Sequence, residues 1–226
     1  MQKSLFIVSL LIPFLGNGMA SAQINVSGSP DTGSAIKVSA FGSTVNGAGT
    51  ANAQVHVWYR NHYAGVIHES AQVVAISSTD GEALGGYNPH TGGPLWRLVI
   101  RGDTAANPWL FEGLTNTAHM HLYEIERIEI DLLKSFTAFD RRSLLRRSTR
   151  GTVGGITFAH GATTTPGHGP MLVDYRYVNP LYLRGRPKGD VFAKLELHFF
   201  DGLMSPGGFN GTSWMDFAVD TDPFTP

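Results

Sequence analysis

Cysteine is absent from all 226 residues. That excludes a disulfide framework, a thiolate metal centre and a cysteine nucleophile together, so stability must come from a packed core. Charge is sparse as well, with Asp, Glu, Lys and Arg at 15% and 17 basic residues against 18 acidic. No global field exists to recruit nucleic acid or an anionic membrane. Sustained heptads and a three-residue glycine period are both missing, which removes coiled-coil and collagen-like rods. The motifs of activated nucleophiles are missing too. There is no Gly-x-Ser-x-Gly elbow, no Ser-x-x-Lys and no phosphate-binding glycine loop, and His68-Glu69 lacks the second histidine of a His-Glu-x-x-His site. Glycoside hydrolysis needs only two facing carboxylates, and spacing singles out no such pair.

What is present describes a globular, loop-rich chain: 42% hydrophobic residues, 4 Trp, 7 Tyr, 13 Phe, 27 Gly and 12 Pro. Residues 1–22 have the form of a signal peptide. Lys3 precedes the apolar run Leu5 to Leu15, then Gly16-Asn17-Gly18 and the small residues Ala20-Ser21-Ala22, which predicts cleavage before Gln23. The run is too short for a bilayer, which takes ~20 apolar residues. The mature chain, 23–226, is expected to hold no transmembrane segment and to form one domain in the periplasm, at the cell surface or outside the cell. Losing Lys3 leaves 16 basic residues against 18 acidic, a net of −2.

Period-two alternation dominates the apolar stretches. Around residues 53–60, Val55, Val57 and Tyr59 share one face and His56, Trp58 and Arg60 the other. In 191–200, Val191, Ala193, Leu195, Leu197 and Phe199 oppose Lys194, Glu196 and His198. Similar patterns at 36–41, 66–76, 95–101 and 171–177 are bounded by turn residues such as Asp80-Gly81 and Asp201-Gly202. Residues 119–136 contain good helix formers, but Ile128-Glu129-Ile130-Asp131-Leu132 alternates strictly and reads as strand. Many short strands without βαβ alternation predict an all-β fold, an antiparallel β-sandwich or jelly roll.

Four groups of residues carry candidate chemistry. His119 and His121, two apart on a strand, point to one side and suit a shared divalent metal, with Glu126 as third ligand if a bulge corrects its parity. Arg141, Arg142, Arg146, Arg147 and Arg150 put five guanidinium groups in ten residues, a loop suited to anionic polysaccharide or other cell-surface material. Asp220 and Asp222 offer alternating oxygen ligands of the kind calcium takes, although a terminal strand with aspartates facing water is the plainer expectation. Trp58 or Trp109, if exposed, suits stacking on a sugar ring. Beyond a divalent metal, no cofactor is indicated.

Several short segments resemble the ectodomains of secreted Gram-negative proteins of the PEP-CTERM type. They are Trp109-Leu110-Phe111 with Leu114-Thr115-Asn116, Ile128 to Leu132, Phe139-Asp140, Gly151 to Phe158, Gly189 to Leu195, and Phe217 to Asp222. No Pro-Glu-Pro motif, apolar helix or basic tail follows Asp222. The resemblance implies a β-rich exported domain and supplies no catalytic residues. Gly113, His119, His121 and Glu126 resemble the first metal-binding motif of cupins, but Pro166-Gly167-His168-Gly169 does not fit the second. The expectation is therefore an exported, non-catalytic structural or binding protein, with a carbohydrate-binding sandwich or a cupin-like metalloprotein as rivals.

Overall fold

A computed structural model describes residues 25–42, 46–62, 64–104, 107, 109–114, 122–141, 157–161, 172–183, 186–200, 209–210 and 213–226. Residues 1–22, where the sequence predicts a signal peptide, lie outside the described residues. In chain order the strands are β1 (Asn25–Gly28), β2 (Ile36–Val38), β3 (Ala40–Phe41), β4 (Gln54–Asn61), β5 (Val66–Val73), β6 (Ala75–Ser77), β7 (Asp80–Gly85), β8 (Trp96–Ile100) and β9 (Trp109–Gly113). They continue with β10 (Tyr123–Asp131), β11 (Thr137–Asp140), β12 (Thr157–Gly161), β13 (Leu172–Leu183), β14 (Arg186–Phe200), β15 (Phe209–Asn210), β16 (Trp214–Ala218) and β17 (Asp220–Thr225). Among the described residues the only helical elements are short 3-10 turns.

The strands form two sheets packed face to face, an all-β sandwich as the alternation predicts. The larger runs β3-β17-β11-β14-β10-β4-β5, with β13 on the other side of β14. The smaller runs β12-β16-β9-β8-β7-β6. Pairing is antiparallel except where β1 and β2 add parallel to β13. Of the stretch 119–136, the described residues 122–136 hold β10 followed by a 3-10 turn at Leu133–Ser135, so the strict alternation there outweighs the helix formers.

The core lies between the sheets because one side of each strand is apolar. Val55, Val57, Ile128, Ile130, Leu195, Leu197 and Phe199 of the larger sheet meet Trp96, Leu98, Ile100, Trp109, Phe111 and Phe217 of the smaller. Each such side chain contributes about 1.5–3 kcal/mol by leaving water. A second, smaller cluster gathers Val38, Ala138, Leu181, Val191, Ala193 and Phe224. Val191 and Ala193 therefore leave the company of Leu195, Leu197 and Phe199, while Phe192 between them joins the first cluster, so this end of β14 is buried on both sides.

Close approach of the 3-10 turn at Gly47–Thr50 to β8 requires glycine at Gly47, where a Cβ would lie 1.9 Å from the Ile100 carbonyl oxygen. Among the described residues, no helix is long and apolar enough to cross a membrane.

Candidate functional site

The outward side of the larger sheet collects the polar half of each alternating strand. His56, Trp58 and Arg60 come from β4, and Lys194, Glu196 and His198 from β14. Between these strands, β10 carries an irregularity. Its register with β4 pairs Ile125 with Tyr59 and then Arg127 with Trp58, so Glu126 is the extra residue of a β-bulge. Ile125 and Ile128 both stay buried, and the two residues between them both lie on the partly exposed side. Without the bulge one of the two would point into the core.

The bulge sits where β10 changes neighbours. Arg127 to Asp131 pair with β14, whereas Glu124 and Ile125 pair with β15. A cavity of about 260 Å³ opens there, lined by Trp58, Ile67, Glu126, Arg127, His198, Phe199 and Phe200.

Each wall of the cavity is held by a named contact. The Arg127 guanidinium lies 3.6 Å above the centre of the Trp58 ring, and its Nη2 is 3.7 Å from Glu129 Oε2. His56 stacks beside the same indole at 5.9 Å and bonds Glu69 through Nδ1 at 2.7 Å. Arg60 donates from Nε to Glu126 Oε1 at 2.7 Å, with Nη2 at 2.6 Å from the same oxygen.

Behind the cavity runs a ladder of cross-strand ion pairs. Lys194 Nζ donates to Glu129 at 2.5 Å and Arg176 Nε to Glu196 at 2.6 Å. The His198 ring at 3.4 Å, together with Arg176, holds the Glu196 carboxyl well below its usual range, at about 2, against the burial that would raise it. At Lys194 burial favours the neutral amine, but Glu129, Asp131 and Glu196 outweigh it and raise the ammonium's pKa.

These contacts define what the site can do. Trp58 and Phe200 supply aromatic surface, Arg127 supplies donors, His198 adds an imidazole edge, and the one carboxylate in the lining, Glu126, is neutralised by Arg60. Aromatic surface beside a guanidinium and an imidazole suits a polyhydroxylated ligand, which offers an apolar ring face and both donors and acceptors.

The structure places the other candidates as follows. His119 and His121 lie outside the described residues, and Glu126 is engaged by Arg60 on the outer face of β10. Arg142, Arg146, Arg147 and Arg150 also lie outside them, whereas Arg141 pairs with Asp31 at 2.6 Å and stands 5.7 Å over the Tyr177 ring. Trp109 is completely buried between Phe139 and Phe217, so of the two candidates only Trp58 lies on the outer face of the larger sheet, while Trp214, 40% exposed, belongs to the smaller sheet.

Asp220 and Asp222 do not face water. Both are buried at 1% exposure on β17, and the β11 register sets Asp140 directly opposite Asp220. One carboxylate oxygen from each of the three residues lies within 4.8 Å of the other two. Three carboxylates this close, away from water, require protons, basic side chains or a hard cation to offset their repulsion.

Sequence reasoning raised a bulge near Glu126 only as the condition for metal ligation, and it missed Arg127. The signal was there in Ile125-Glu126-Arg127-Ile128, where two polar residues separate isoleucines inside an otherwise alternating strand.

Compared with known proteins, the chain matches no family model, no curated protein and no solved structure.

Proposed function

We propose that the chain is an exported, non-catalytic binding protein of the cell surface, periplasm or extracellular matrix, and that it holds polysaccharide on the outer face of its larger sheet. The observation that carries the reading is the bulge-made cavity, where Trp58 and Arg127 form one stacked unit beside Phe200 and His198. A sugar ring packs its apolar face against the aromatic surface, gives hydroxyl or carboxylate oxygens to Arg127, and hydrogen-bonds a hydroxyl to the His198 ring. Binding in place of hydrolysis accords with Arg60 neutralising Glu126, since a general acid–base pair needs two available carboxylates. Export rests on the leader at 1–22, and the PEP-CTERM-type resemblance agrees with a surface or matrix setting.

The test is calorimetric titration of residues 23–226 with purified neutral and uronate-containing polysaccharides, beside Trp58→Ala. The expected result is saturable binding that falls about tenfold or more in the variant, a loss of about 1.4 kcal/mol. Equal binding by both proteins, or none to either class, overturns the reading.

A further inference from the structure

β5 ends the larger sheet, and among the described residues no strand pairs with its outer edge. Edge strands ordinarily carry features that prevent a second strand from adding, such as proline, lysine, a bulge or short length. β5 has none of these, and its one carboxylate, Glu69, is paired with His56 of β4. Its eight residues, Val66-Ile67-His68-Glu69-Ser70-Ala71-Gln72-Val73, pair with β4 without a break in register. Val66, Ile67 and Val73 are 47%, 46% and 53% exposed, so apolar side chains stand at both ends of an open row of backbone donors and acceptors.

We propose that β5 is a self-association edge, on which a second copy of this chain adds its own β5 antiparallel about a two-fold axis normal to the sheet. Such an axis keeps each side chain on its own face, so a residue can oppose only a residue of the same parity, and the register must centre on one residue facing itself. Centring on Ser70 sets Ile67 opposite the second copy's Val73, and Val73 opposite its Ile67. His68 then opposes Gln72, and Glu69 opposes Ala71. Apolar meets apolar at both ends, and no two like charges face each other. Val74, the next residue, turns away into the core and ends the pairing.

The same axis leaves both outer faces on one side of a continuous sheet. Five strand spacings of ~4.8 Å separate the two β10 strands, so two Trp58–Arg127 cavities would lie about 24 Å apart. On the polysaccharide reading that spacing makes the dimer bivalent along one chain of ligand. The pairing itself does not depend on that reading, and its test uses no ligand.

The test is light scattering coupled to size exclusion on residues 23–226 at roughly tens of micromolar, beside two substitutions at the exposed Ala71. Ala71→Glu places a carboxylate opposite the second copy's Glu69 twice over, and Ala71→Lys places an ammonium there instead. The expected outcome is a dimer for the unmodified chain, a monomer for Ala71→Glu and a retained, salt-sensitive dimer for Ala71→Lys, with all three giving the same β-type circular dichroism spectrum. A monomeric unmodified chain overturns the proposal, and so does an Ala71→Glu variant that dimerises as tightly as Ala71→Lys.

Discussion

The Arg127 guanidinium carbon sits 3.6 Å from the centre of the Trp58 ring, and a contact this close makes lysine an unequal substitute. A guanidinium stacks as a plane and donates from its edge, whereas an ammonium is a hydrated point charge. Arg127→Lys is expected to keep the fold and the charge but weaken polysaccharide binding several-fold, which titration beside Arg127→Ala would show. If lysine restores full affinity, charge alone matters and the stacked geometry does not. A second residue-scale prediction concerns packing. Gly47 has backbone on its open side, so Gly47→Ala forces a shift and costs about 1–3 kcal/mol, measurable as a lowered denaturation midpoint.

The roles of the two candidate tryptophans, Trp58 and Trp109, were partly legible in their neighbours. Trp109 shares parity with Phe111 on an apolar face, while Trp58 shares parity with His56 and Arg60. The aspartates were not legible in this way. Alternation marks Asp220 and Asp222 as one face of β17, but their burial comes from residues far away in sequence. The same face carries Phe224, which joins Val38, Leu181 and Val191 in the second cluster. Local pattern cannot report a cover supplied by remote strands.

At the scale of the element, β10 carries the account. Tyr123 and Ile125 lie inward in one phase, and Ile128 and Ile130 in the other, with Glu126 absorbing the difference. Deleting Glu126 restores strict alternation from Tyr123 to Asp131 without moving any isoleucine to the wrong face. The deletion variant is expected to stay folded, with an unchanged β-type circular dichroism spectrum, and to lose binding because the cavity closes. Retained binding would show that the bulge is incidental. Most strands were legible from period-two patterns and turn residues because each has one face in a common core. The two parallel additions to β13 were not, because such pairing is set by the path of the whole chain and leaves no local signature.

At the scale of the whole molecule, the ion-pair ladder makes stability depend on acid. Glu196 titrates at about 2 in the folded chain, with an ordinary value of 4.5. A carboxyl depressed on folding contributes its full stability above the ordinary value and loses it as pH falls from about 4.5 through about 2. The contribution is of the order of 2–3 kcal/mol. Glu196→Gln should therefore unfold at lower temperature than the unmodified chain at pH 7, with the gap narrowing as pH is lowered toward 2. A gap that is constant across this range would mean that the Arg176 and His198 contacts do not act on Glu196 in this way.

The central claim is that the outer face of the larger sheet, at the β10 bulge, is where ligand is held. Backbone amide chemical shifts of isotope-labelled residues 23–226, followed as polysaccharide is added, test it most directly. The account predicts perturbations concentrated at Trp58, Glu126, Arg127 and His198 with their strand neighbours. Perturbations confined to the arginine-rich segment from Arg141 to Arg150, with β4, β10 and β14 unmoved, would contradict it.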